Sequence, residues 1–512
     1  MSTAVTYHEA TKYRPETIAT SGGLDWSQQP IPYKEYDCRD PVELSDYLPF
    51  DPNPFTGRPA DADAHALVIG EVSLAALSHL IFFTYGVTGV VPNEPRNLLL
   101  RAAPSAGGLY PAELYVVIRQ CPDIEAGLYG YDPTHHRLIP LWPGSEIADA
   151  VADACYGNAA VVNAPILFVV TGVFARSSWR YGERAYRRIL LDTGHLLSNA
   201  TLTAHELGLR TSLTAAFCDE RLNTILRVDP IDEGALAVIT IHPPGPAERP
   251  IWATLPSANH EQTPVPPLLL ALHNASLLST ERPVVVSRGE NQADDLEQRY
   301  GVRGGESLTL KSAIVPLAHQ PTNAILHRRS TRRYRRANMS RLQLARIMAT
   351  AYRPDTVGLG DQPSLDRNLL MTFIAVLAVD GLATGVYYYA PHSNELRLIT
   401  AGCARDAVQF LCLGQELGGD ATAVVFHTAD LQRAVRYQGD RAYRYLHLDA
   451  GIIGERLDLA ALCEGLGASG IGGFFDDHVN RLLGIPTEQA VVYITTIGMP
   501  LNSTTSTTHE DS

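Results

Sequence analysis

The sequence predicts an α+β fold that is repeated in tandem. The segment that begins at Gly182 returns at Gly439 with eight of thirteen positions identical, so the chain contains an internal repeat. Within each copy, short apolar runs typical of buried strands alternate with longer stretches typical of helices. The length of 512 residues agrees with more than one domain, because a single hydrophobic core rarely organises more than about 250–300 residues.

The repeat is long enough to define domains. At the spacing of 257 residues that relates Gly182 to Gly439, Cys155 also corresponds to Cys412, and further upstream the spacing becomes 267. Proline-rich sequence separates the copies and interrupts regular structure there. The expected organisation is an N-terminal extension (1–60), a first domain (61–250), a connector (251–320), a second domain (321–500) and a disordered tail (501–512).

Apolar runs indicate where the main elements lie. Residues 113–118, 165–170 and 423–426 are expected to form strands. Helices are expected to begin near Arg184 and near Arg441. The apolar run from Val72 approaches membrane-spanning length, but polar residues such as His79 interrupt it, which favours a buried core helix. Within the connector, the apolar stretch from Pro267 is expected to form a short helix.

The composition argues against several classes of function. The chain has 41 basic and 55 acidic residues, and the net charge of −14 argues against binding to nucleic acid or to an anionic membrane. Its seven cysteines form no Cys-x-x-Cys pair, and the histidines lack metal-ligand spacing, so we expect no metal site. The first residues contain no apolar core of a secretory signal, which predicts a cytoplasmic protein.

Two loops contain residue types that suit a ligand. In the first copy, the segment Pro-Ser-Ala-Gly from Pro104 precedes a strand and exposes backbone N–H groups that can cradle an anion or a flat ring. In the second copy, residues 327–336 contain six arginines and a serine directly before a helix, a composition that suits a phosphate group. Taken separately, the first motif also fits a tight turn and the second a solvated basic face.

Together the motifs resemble a known family. PSAGGLYP from Pro104, RYGERAYRR from Arg180, the LDTG and LDAG helices and GLGASGIGGFFDD from Gly465 are similar to the SagB-type azoline dehydrogenases of the FMN-dependent nitroreductase superfamily. The resemblance covers roughly 61–250 and 321–500, and YHEATKY near the start resembles that family's leader region. It implies a mixed sheet flanked by helices in each domain, with FMN bound between two such domains. A tandem chain would supply both as an internal pseudodimer.

The resemblance assigns the FMN-binding residues to different copies. The Arg-x-Ser-x-Arg segment of the second copy would bind the flavin phosphate and ring, together with the Pro-Ser loop of the first copy and the glycine loop of the second. These residues are Arg328, Ser330 and Arg332; Pro104, Ser105, Ala106 and Gly107; and Gly470, Gly472 and Gly473. A second site with the roles of the two copies exchanged is not expected. Asp61 and His65 stand in the first copy where the second has Arg328 and Arg332, and LTAAFC replaces GIGGFF. We therefore expect one FMN site per chain.

The expected chemistry requires a base beside the flavin. Oxidation of an azoline ring to its aromatic form removes a hydride and a proton, and the flavin takes only the hydride. In the resembled family a Lys-Tyr pair is taken as the proton acceptor, and Arg180 and Tyr181 stand at the matching positions. Because arginine stays protonated, Tyr181 is the expected acceptor, and the guanidinium beside it would favour its phenolate.

Charged residues that recur in both copies are interpreted as structural. Arg184 and Asp192 return as Arg441 and Asp449, a pattern typical of a repeated buried ion pair. Glu183 stands in the first turn of its helix, where an acidic side chain usually acts as a cap.

The predicted function is that of an FMN-dependent oxidoreductase, most concretely a dehydrogenase that converts peptide thiazolines or oxazolines to thiazoles or oxazoles. The substrate would be a peptide or a peptidyl carrier, and the resemblance implies a cyclodehydratase or synthetase as partner. Two alternatives stay open. An NAD(P)H-dependent nitro- or quinone reductase would use the same cofactor with the opposite electron flow, and a flavin-free scaffold subunit would need only intact domain interfaces.

Overall fold

The structure is a computed structural model that describes residues 2–18, 24–36, 38, 40–48, 50, 67–93, 97–244, 265–279, 296–297, 305–310, 315–360 and 362–501. Asp61, His65 and the predicted disordered tail after residue 501 lie outside the described residues. Within the described ranges, no helix is long and apolar enough to cross a bilayer, and no group of three His, Cys, Asp or Glu side chains is placed to hold a metal ion.

The first domain is built on a seven-stranded sheet. The strands of this domain are β1 (Val42–Glu43), β2 (Val87–Val91), β3 (Leu98–Arg101), β4 (Ala112–Ile118), β5 (Gly127–Asp132), β6 (Arg137–Pro143), β7 (Ile166–Val173), β8 (Arg210–Thr214) and β9 (Glu233–His242). The sheet has the order β1-β6-β5-β4-β7-β9-β8, and β2 and β3 form a separate hairpin. Strands β4 and β9 are buried along their whole length, as expected for continuous apolar runs.

The helices of the first domain include the predicted core helix. They are α1 (Thr3–Ala10), α2 (Pro15–Ile18), α3 (Leu74–Tyr85), α4 (Glu146–Ala154), α5 (Ala159–Val162), α6 (Phe174–Tyr181), α7 (Ala185–Glu206) and α8 (Asp219–Leu226). The apolar run from Val72 forms α3, in which every residue is buried. Ser73 caps this helix, because its side chain accepts the backbone N–H of Ala76 at 3.2 Å.

The second domain repeats this construction. Its strands are β10 (Ser307–Thr309), β11 (Tyr334–Arg335), β12 (Leu370–Val376), β13 (Gly385–Ala390), β14 (Glu395–Ala401), β15 (Ala423–Ala429), β16 (Gly467–Ile471) and β17 (Ala490–Pro500). The helices of the connector and of this domain are α9 (Pro267–Ala275), α10 (Pro321–His327), α11 (Arg341–Tyr352), α12 (Arg405–Leu411), α13 (Glu416–Asp420), α14 (Leu431–Gln438), α15 (Ala442–Cys463) and α16 (Asp476–Leu483). The sheet has the order β10-β14-β13-β12-β15-β17-β11, and β16 also pairs with β17.

The two sheets share one topology, which confirms the α+β class and the tandem repeat. Strands β12, β15 and β17 take the places of β4, β7 and β9. In the part of the chain that the structure describes, the pairs formed by these strands are antiparallel, so each sheet is more uniform than the mixed sheet that the resemblance implies. Short connections join consecutive strands such as β5 and β6, and such connections produce antiparallel pairs.

The two long helices α7 and α15 meet at a pair of corresponding glycines. A Cβ atom on Gly194 would overlap the carbonyl oxygen of Leu448, and a Cβ on Gly451 would overlap that of Leu191. The backbones therefore approach more closely than any larger residue allows. This contact places the pseudo-twofold centre of the molecule between the two helices, and the chain folds as the predicted internal pseudodimer.

Buried ion pairs join the domains. Asp476 of the second domain accepts hydrogen bonds from Arg184 and Arg187 of the first domain, each at 2.9 Å. The predicted pairing of Arg184 with Asp192 is wrong. Eight residues along a helix correspond to a rise of about 12 Å, so the two side chains lie too far apart, whereas Asp476 reaches Arg184 from the opposite domain.

The corresponding ion pairs lie on the other side of the pseudodimer. Asp219 of the first domain accepts from Arg441 at 2.6 Å and from Arg444 at 2.8 Å. Every arginine and aspartate in both clusters is at most 2% exposed. The repeated charges are structural, as predicted, but each cluster contains residues of both domains.

Two short helices extend the repeat into the expected extension and connector. The carboxylate of Glu183 accepts the backbone N–H groups of Leu268 and Leu269 at the start of α9, at 3.2 and 2.9 Å. In the corresponding place, Asp440 accepts the N–H of Ala4 at the start of α1 at 2.7 Å. Glu183 therefore acts as a helix cap, as predicted, but the helix that it caps is α9 rather than its own.

Candidate active site

A cavity of about 700 Å³ lies between the two domains, and both contribute to its walls. The first domain supplies the loop before β4 and parts of α6 and α7, and the second supplies the segment after α10 and parts of α15, β16 and β17. The predicted site residues that line it are Pro104, Ser105, Ala106, Gly107, Arg180, Tyr181, Arg328, Ser330, Arg332, Gly470 and Gly472. Gly473 is the predicted site residue that is absent from this lining.

The Pro-Ser loop is fixed by a buried carboxylate. Asp192 on α7 accepts the hydroxyl of Ser105 at 2.6 Å and the backbone N–H of Ala106 at 3.2 Å. The hydroxyl oxygen of Ser105 in turn accepts the N–H of Tyr110 at 2.8 Å. Gly107 has φ of +69°, a conformation that glycine adopts without strain. Burial raises the pKa of Asp192 to about 7, although these hydrogen bonds oppose the shift.

A loop of the same construction occurs in the second domain. Asp449 on α15 accepts the backbone N–H groups of Leu365 and Asp366 at 2.9 and 2.6 Å, in a segment that begins with Pro363 and Ser364. The recurrence of Asp192 and Asp449 in the two copies is thus explained by two loops with the same requirement. The sequence indicates both aspartates and the first Pro-Ser loop, but not the loop of the second domain or the contact between each aspartate and its loop.

A buried cluster of opposite charges occupies one wall of the cavity. Arg328 is 5% exposed, and its guanidinium lies 3.5 Å from the carboxylate of Glu455 and 3.4 Å from that of Asp458. It also donates to the carbonyl oxygen of Ala102 in the first domain at 3.3 Å. Burial raises the pKa of both Glu455 and Asp458 above the ordinary range, and the guanidinium of Arg328 opposes both shifts.

The arginines that follow Arg328 have different environments. Arg329 donates to the carbonyl oxygen of Thr88 on β2 at 2.7 Å, so this cation is tied to the first domain. Arg332 is exposed and, within the described ranges, forms no ion pair. Of these cations, Arg332 therefore retains the guanidinium most available to an anion in the cavity.

Glycines form the opposite wall. A Cβ on Gly470 would overlap the hydroxyl group of Tyr493, which lies 3.2 Å from the imidazole Nε2 of His195. A Cβ on Gly472 would lie 3.5 Å from the guanidinium carbon of Arg188 on α7, which is an ordinary contact distance. Gly473 instead faces Leu413, 2.9 Å from the position of its Cβ. The wall at Gly470 is flat because no side chain fits there.

Tyr181 lies at the end of α6 and contacts the Pro-Ser loop. Its hydroxyl oxygen is 2.8 Å from the position that a Cβ on Gly107 would take. The guanidinium of Arg188 lies 3.9 Å from the centre of the Tyr181 ring, and that of Arg180 lies 5.7 Å away. Arg188 is 5% exposed and, in the part of the chain that is described, has no ion-pair partner. The position that corresponds to it in the second domain is Tyr445.

Several functional candidates escaped the sequence comparison although it contained a signal for them. Glu455 and Asp458 lie three residues apart on the buried helix α15, and Ser198 and Thr201 take their places in the first domain. Arg188 is likewise a charge that one copy has and the other lacks. A buried charge is costly unless it is paired or used, so a charge that one copy has and the other lacks indicates a residue with a function beyond the shared fold.

Comparisons with known proteins agree with this construction. The sequence matches the Nitroreductase family over residues 71–241 and 325–499. A provisionally named nitroreductase of Methanocaldococcus jannaschii is 32% identical over 157 residues, which are 31% of this chain and 75% of that protein. A crystal structure of a provisionally named nitroreductase from Anabaena variabilis has a TM-score of 0.83 and 40% identity, and the match covers 98% of this chain and 100% of that one.

Two further relatives are named for the processing of peptides. The trifolitoxin-processing protein TfxB of Rhizobium leguminosarum bv. trifolii is 30% identical over 226 residues, 42% of this chain and 61% of that protein. The microcin B17-processing protein McbC of Escherichia coli is 27% identical over 139 residues, 25% of this chain and 49% of that protein. The chain thus spans less than two thirds of either relative, and both names agree with the predicted resemblance. The family match covers more than half of the sequence in two separate stretches, and the chain therefore belongs to the nitroreductase family, whose domain it contains twice.

Proposed function

We propose that this oxidoreductase uses FMN and oxidises thiazoline or oxazoline rings of a peptide to thiazoles or oxazoles. The main support is that one cavity combines parts of both domains. The Arg-x-Ser-x-Arg segment from Arg328 in the second domain and the Pro-Ser loop from Pro104 in the first line the same space. Tyr181, the expected proton acceptor, touches that loop at Gly107.

The residues present fit an FMN molecule. The cavity of about 700 Å³ lies within the range of roughly 300–1,000 Å³ that is common for ligand and cofactor sites. Arg332 and Ser330 would bind the phosphate, because this guanidinium has no ion pair among the described residues and the neighbouring hydroxyl lines the cavity. The wall at Gly470, which a Cβ would obstruct, would accept the flat ring system.

The side chains around Tyr181 suit proton removal. When bound, FMN supplies the acceptor for the hydride that leaves the azoline ring. The proton that leaves the same ring requires a base, and Tyr181 is the proposed acceptor. The guanidinium of the buried Arg188, 3.9 Å from the centre of its ring, would stabilise negative charge that forms there. Arg180, whose guanidinium offers only hydrogen-bond donors, would orient the substrate.

Asymmetry between the domains supports a single site per chain. In the first domain Leu213 and Ala215 occupy the positions of Gly470 and Gly472, so the glycine wall occurs in one copy. The charged residues of α15 and the buried Arg188 also lack counterparts in the other copy. Random loss would not leave complementary parts in two different domains.

The peptide substrate is proposed from the similarity to TfxB and McbC, which are named for peptide processing. An azoline ring forms when a Cys, Ser or Thr side chain attacks the preceding peptide carbonyl and water is lost. The reaction that supplies the substrate would therefore be a cyclodehydration. A cyclodehydratase or synthetase is the proposed partner, and a peptide or peptidyl carrier is the proposed substrate.

A matched pair of tyrosine variants tests the proposed chemistry. Tyr181→Phe should retain FMN and lose turnover of a thiazoline peptide by about 10²–10⁴-fold, the usual contribution of a positioned general base. Tyr437→Phe is the control, because Tyr437 lies in the last turn of α14 of the second domain at a related position but does not line the cavity. It should keep normal turnover. The measurement is thiazole formation followed by mass spectrometry, since each ring oxidised loses two hydrogens.

Different outcomes identify the alternatives. Normal turnover by Tyr181→Phe would mean that another group takes the proton. Rapid bleaching of bound FMN by NADH or NADPH, with no loss of mass from the thiazoline peptide, would indicate a nitro- or quinone reductase. Failure to bind added FMN would indicate a scaffold subunit.

A further inference from the structure

We infer that Trp26, Trp179 and Arg180 form a docking surface for an acidic segment of the peptide substrate, next to the ring that is oxidised. This surface is called the tryptophan platform below. It lies on the first domain at the edge of the cavity. Its ligand is the proposed peptide substrate, so this role depends on the proposed function.

The tryptophan platform exposes aromatic surface that proteins usually bury. Trp26 is 61% exposed, although it is among the largest apolar side chains of the protein. Its ring lies 5.5 Å from that of Trp179, and the two planes meet at 69°. The indole N–H of Trp179 donates to the carbonyl oxygen of Asp25 at 3.2 Å. Exposed tryptophans are typical of recognition surfaces, in which one such residue often contributes much of the binding energy.

Local contacts fix Trp26 in place. The carboxylate of Asp25 accepts the backbone N–H and the hydroxyl of Ser27, at 3.0 and 2.6 Å, and so caps the helical turn that begins at Trp26. Further along the same segment, the ammonium group of Lys34 lies 2.6 Å from the largely buried carboxylate of Glu233. The segment is therefore attached to the domain on both sides of its exposed tryptophan, and a preformed surface loses little entropy on binding.

Arg180 connects the tryptophan platform to the cavity. Its guanidinium carbon lies 5.7 Å from the centre of the Trp26 ring and 5.7 Å from that of Tyr181. Its Cδ atom also lies 3.4 Å from the position of a Cβ on Gly107, in the loop that lines the cavity. A peptide whose ring reaches Tyr181 would thus continue over Arg180 onto Trp26.

Charge favours an acidic ligand on this surface. Arg180 is exposed and, within the described ranges, forms no ion pair or hydrogen bond. The buried Arg188 lines the same cavity and adds positive charge near Tyr181, whereas Arg332 would be engaged by the FMN phosphate. The exposed carboxylate beside Trp26, that of Asp25, accepts two hydrogen bonds from Ser27, so the guanidinium of Arg180 is the group that would attract an acidic ligand. A carboxylate of the peptide would bind Arg180, and an adjacent apolar side chain would pack against Trp26.

The test compares two substrates in two variants. The first substrate is a synthetic peptide in which a thiazoline is followed by Asp, Asp and Phe, and the second is 2-methyl-2-thiazoline-4-carboxamide, which has no flanking residues. Trp26→Ala should raise the KM of the peptide by about ten-fold or more relative to that of the small compound, as expected for loss of a hot-spot tryptophan. The control is Leu342→Ala, an exposed apolar residue of the second domain (47% exposed) that should move neither KM. A peptide with Lys in place of both Asp residues should bind more weakly to the unaltered protein.

Several results would overturn this assignment. One is an equal change in both KM values, and another is no preference for Asp over Lys. If Trp26→Ala instead changed the sedimentation coefficient of the unligated protein, the tryptophan platform would be a contact between copies of the chain. If the unaltered protein oxidised neither substrate, the proposed function would fail, and docking would be judged separately from the fluorescence anisotropy of a labelled Asp-Asp-Phe peptide with FMN-loaded protein. Weaker binding to Trp26→Ala would then support the surface, and unchanged binding would reject it.

Discussion

Replacing Asp476 by asparagine should destabilise the pseudodimer and release FMN. Asp476 accepts from Arg184 and Arg187 at 2.9 Å, and all three side chains are at most 2% exposed. Asparagine keeps the volume of the side chain but removes its charge, which leaves two buried guanidinium groups without a counter-ion. Removal of one partner from a buried ion pair typically costs about 3–5 kcal/mol. We expect a loss of that size in the free energy of unfolding.

The release of FMN follows from the position of Asp476. It directly follows the segment that contains Gly470 and Gly472, and the guanidinium of Arg184 lies 4.8 Å from the ring centre of Phe474 in that segment. Loss of the ion pair should therefore disturb the glycine wall of the cavity. The assay combines urea unfolding followed by circular dichroism with the fluorescence of flavin released from the native protein.

The repeat supplies a matched control in Asp219→Asn. Asp219 also binds two buried arginines, but the segment before it contains Leu213 and Ala215 instead of glycines. This variant should lose a similar amount of stability and retain FMN under native conditions. Equal release of FMN by both variants would refute the assignment of the flavin to one side, and a loss of less than about 1 kcal/mol in either would refute the role of the ion pairs.

Two other substitutions test the interface and the cavity. Gly451→Ala should destabilise the protein by about 1–3 kcal/mol, because the added Cβ would overlap the carbonyl oxygen of Leu191. This loss should exceed the gain that alanine gives to a helix. An unchanged melting temperature would contradict the close contact between the two helices. Burial raises the pKa of Asp192 from the ordinary value of 3.8 to about 7. Its favourable contribution to the free energy of unfolding is therefore present below pH 3.8 and is lost as the pH rises through 7. Asp192→Asn should therefore become more stable relative to the unaltered protein between pH 5 and 7, by about 2–3 kcal/mol, and thermal melts that show no such trend would contradict a neutral buried carboxyl.

The fold could be predicted from the sequence because its signals are local and are given twice. Buried strands such as Ile166–Val173 appear as continuous apolar runs, and the repeat from Gly182 to Gly439 shows that one architecture occurs in both halves. Motif resemblance then placed Tyr181 and the Pro-Ser loop from Pro104 at the same cavity. A glycine-rich segment indicates that another group approaches the backbone closely, but it does not show which glycine faces the cavity. The sequence therefore predicts Gly473 in the lining together with Gly472, and only Gly472 of the two lines it.

Contacts between distant parts of the chain could not be predicted in this way. Arg187 and Asp476 are 289 residues apart, and no local pattern indicates that they form an ion pair across the domains. The same is true of Asp192, whose recurrence suggested an ion pair although its partners are backbone and hydroxyl groups of a loop. Arg188 could not be singled out either, because a run of arginines does not show which of them the fold buries.

The most direct test is the amount of FMN released per polypeptide from the purified, flavin-saturated protein, measured by absorbance against protein concentration from amino-acid analysis. One cavity built from complementary parts of two domains predicts one FMN per chain, and Arg332→Ala should weaken its binding while Arg335→Ala, an exposed neighbour outside the cavity lining, should not. Two FMN molecules per chain would contradict the loss of the second site. No FMN at saturating concentration would contradict the proposed cofactor itself.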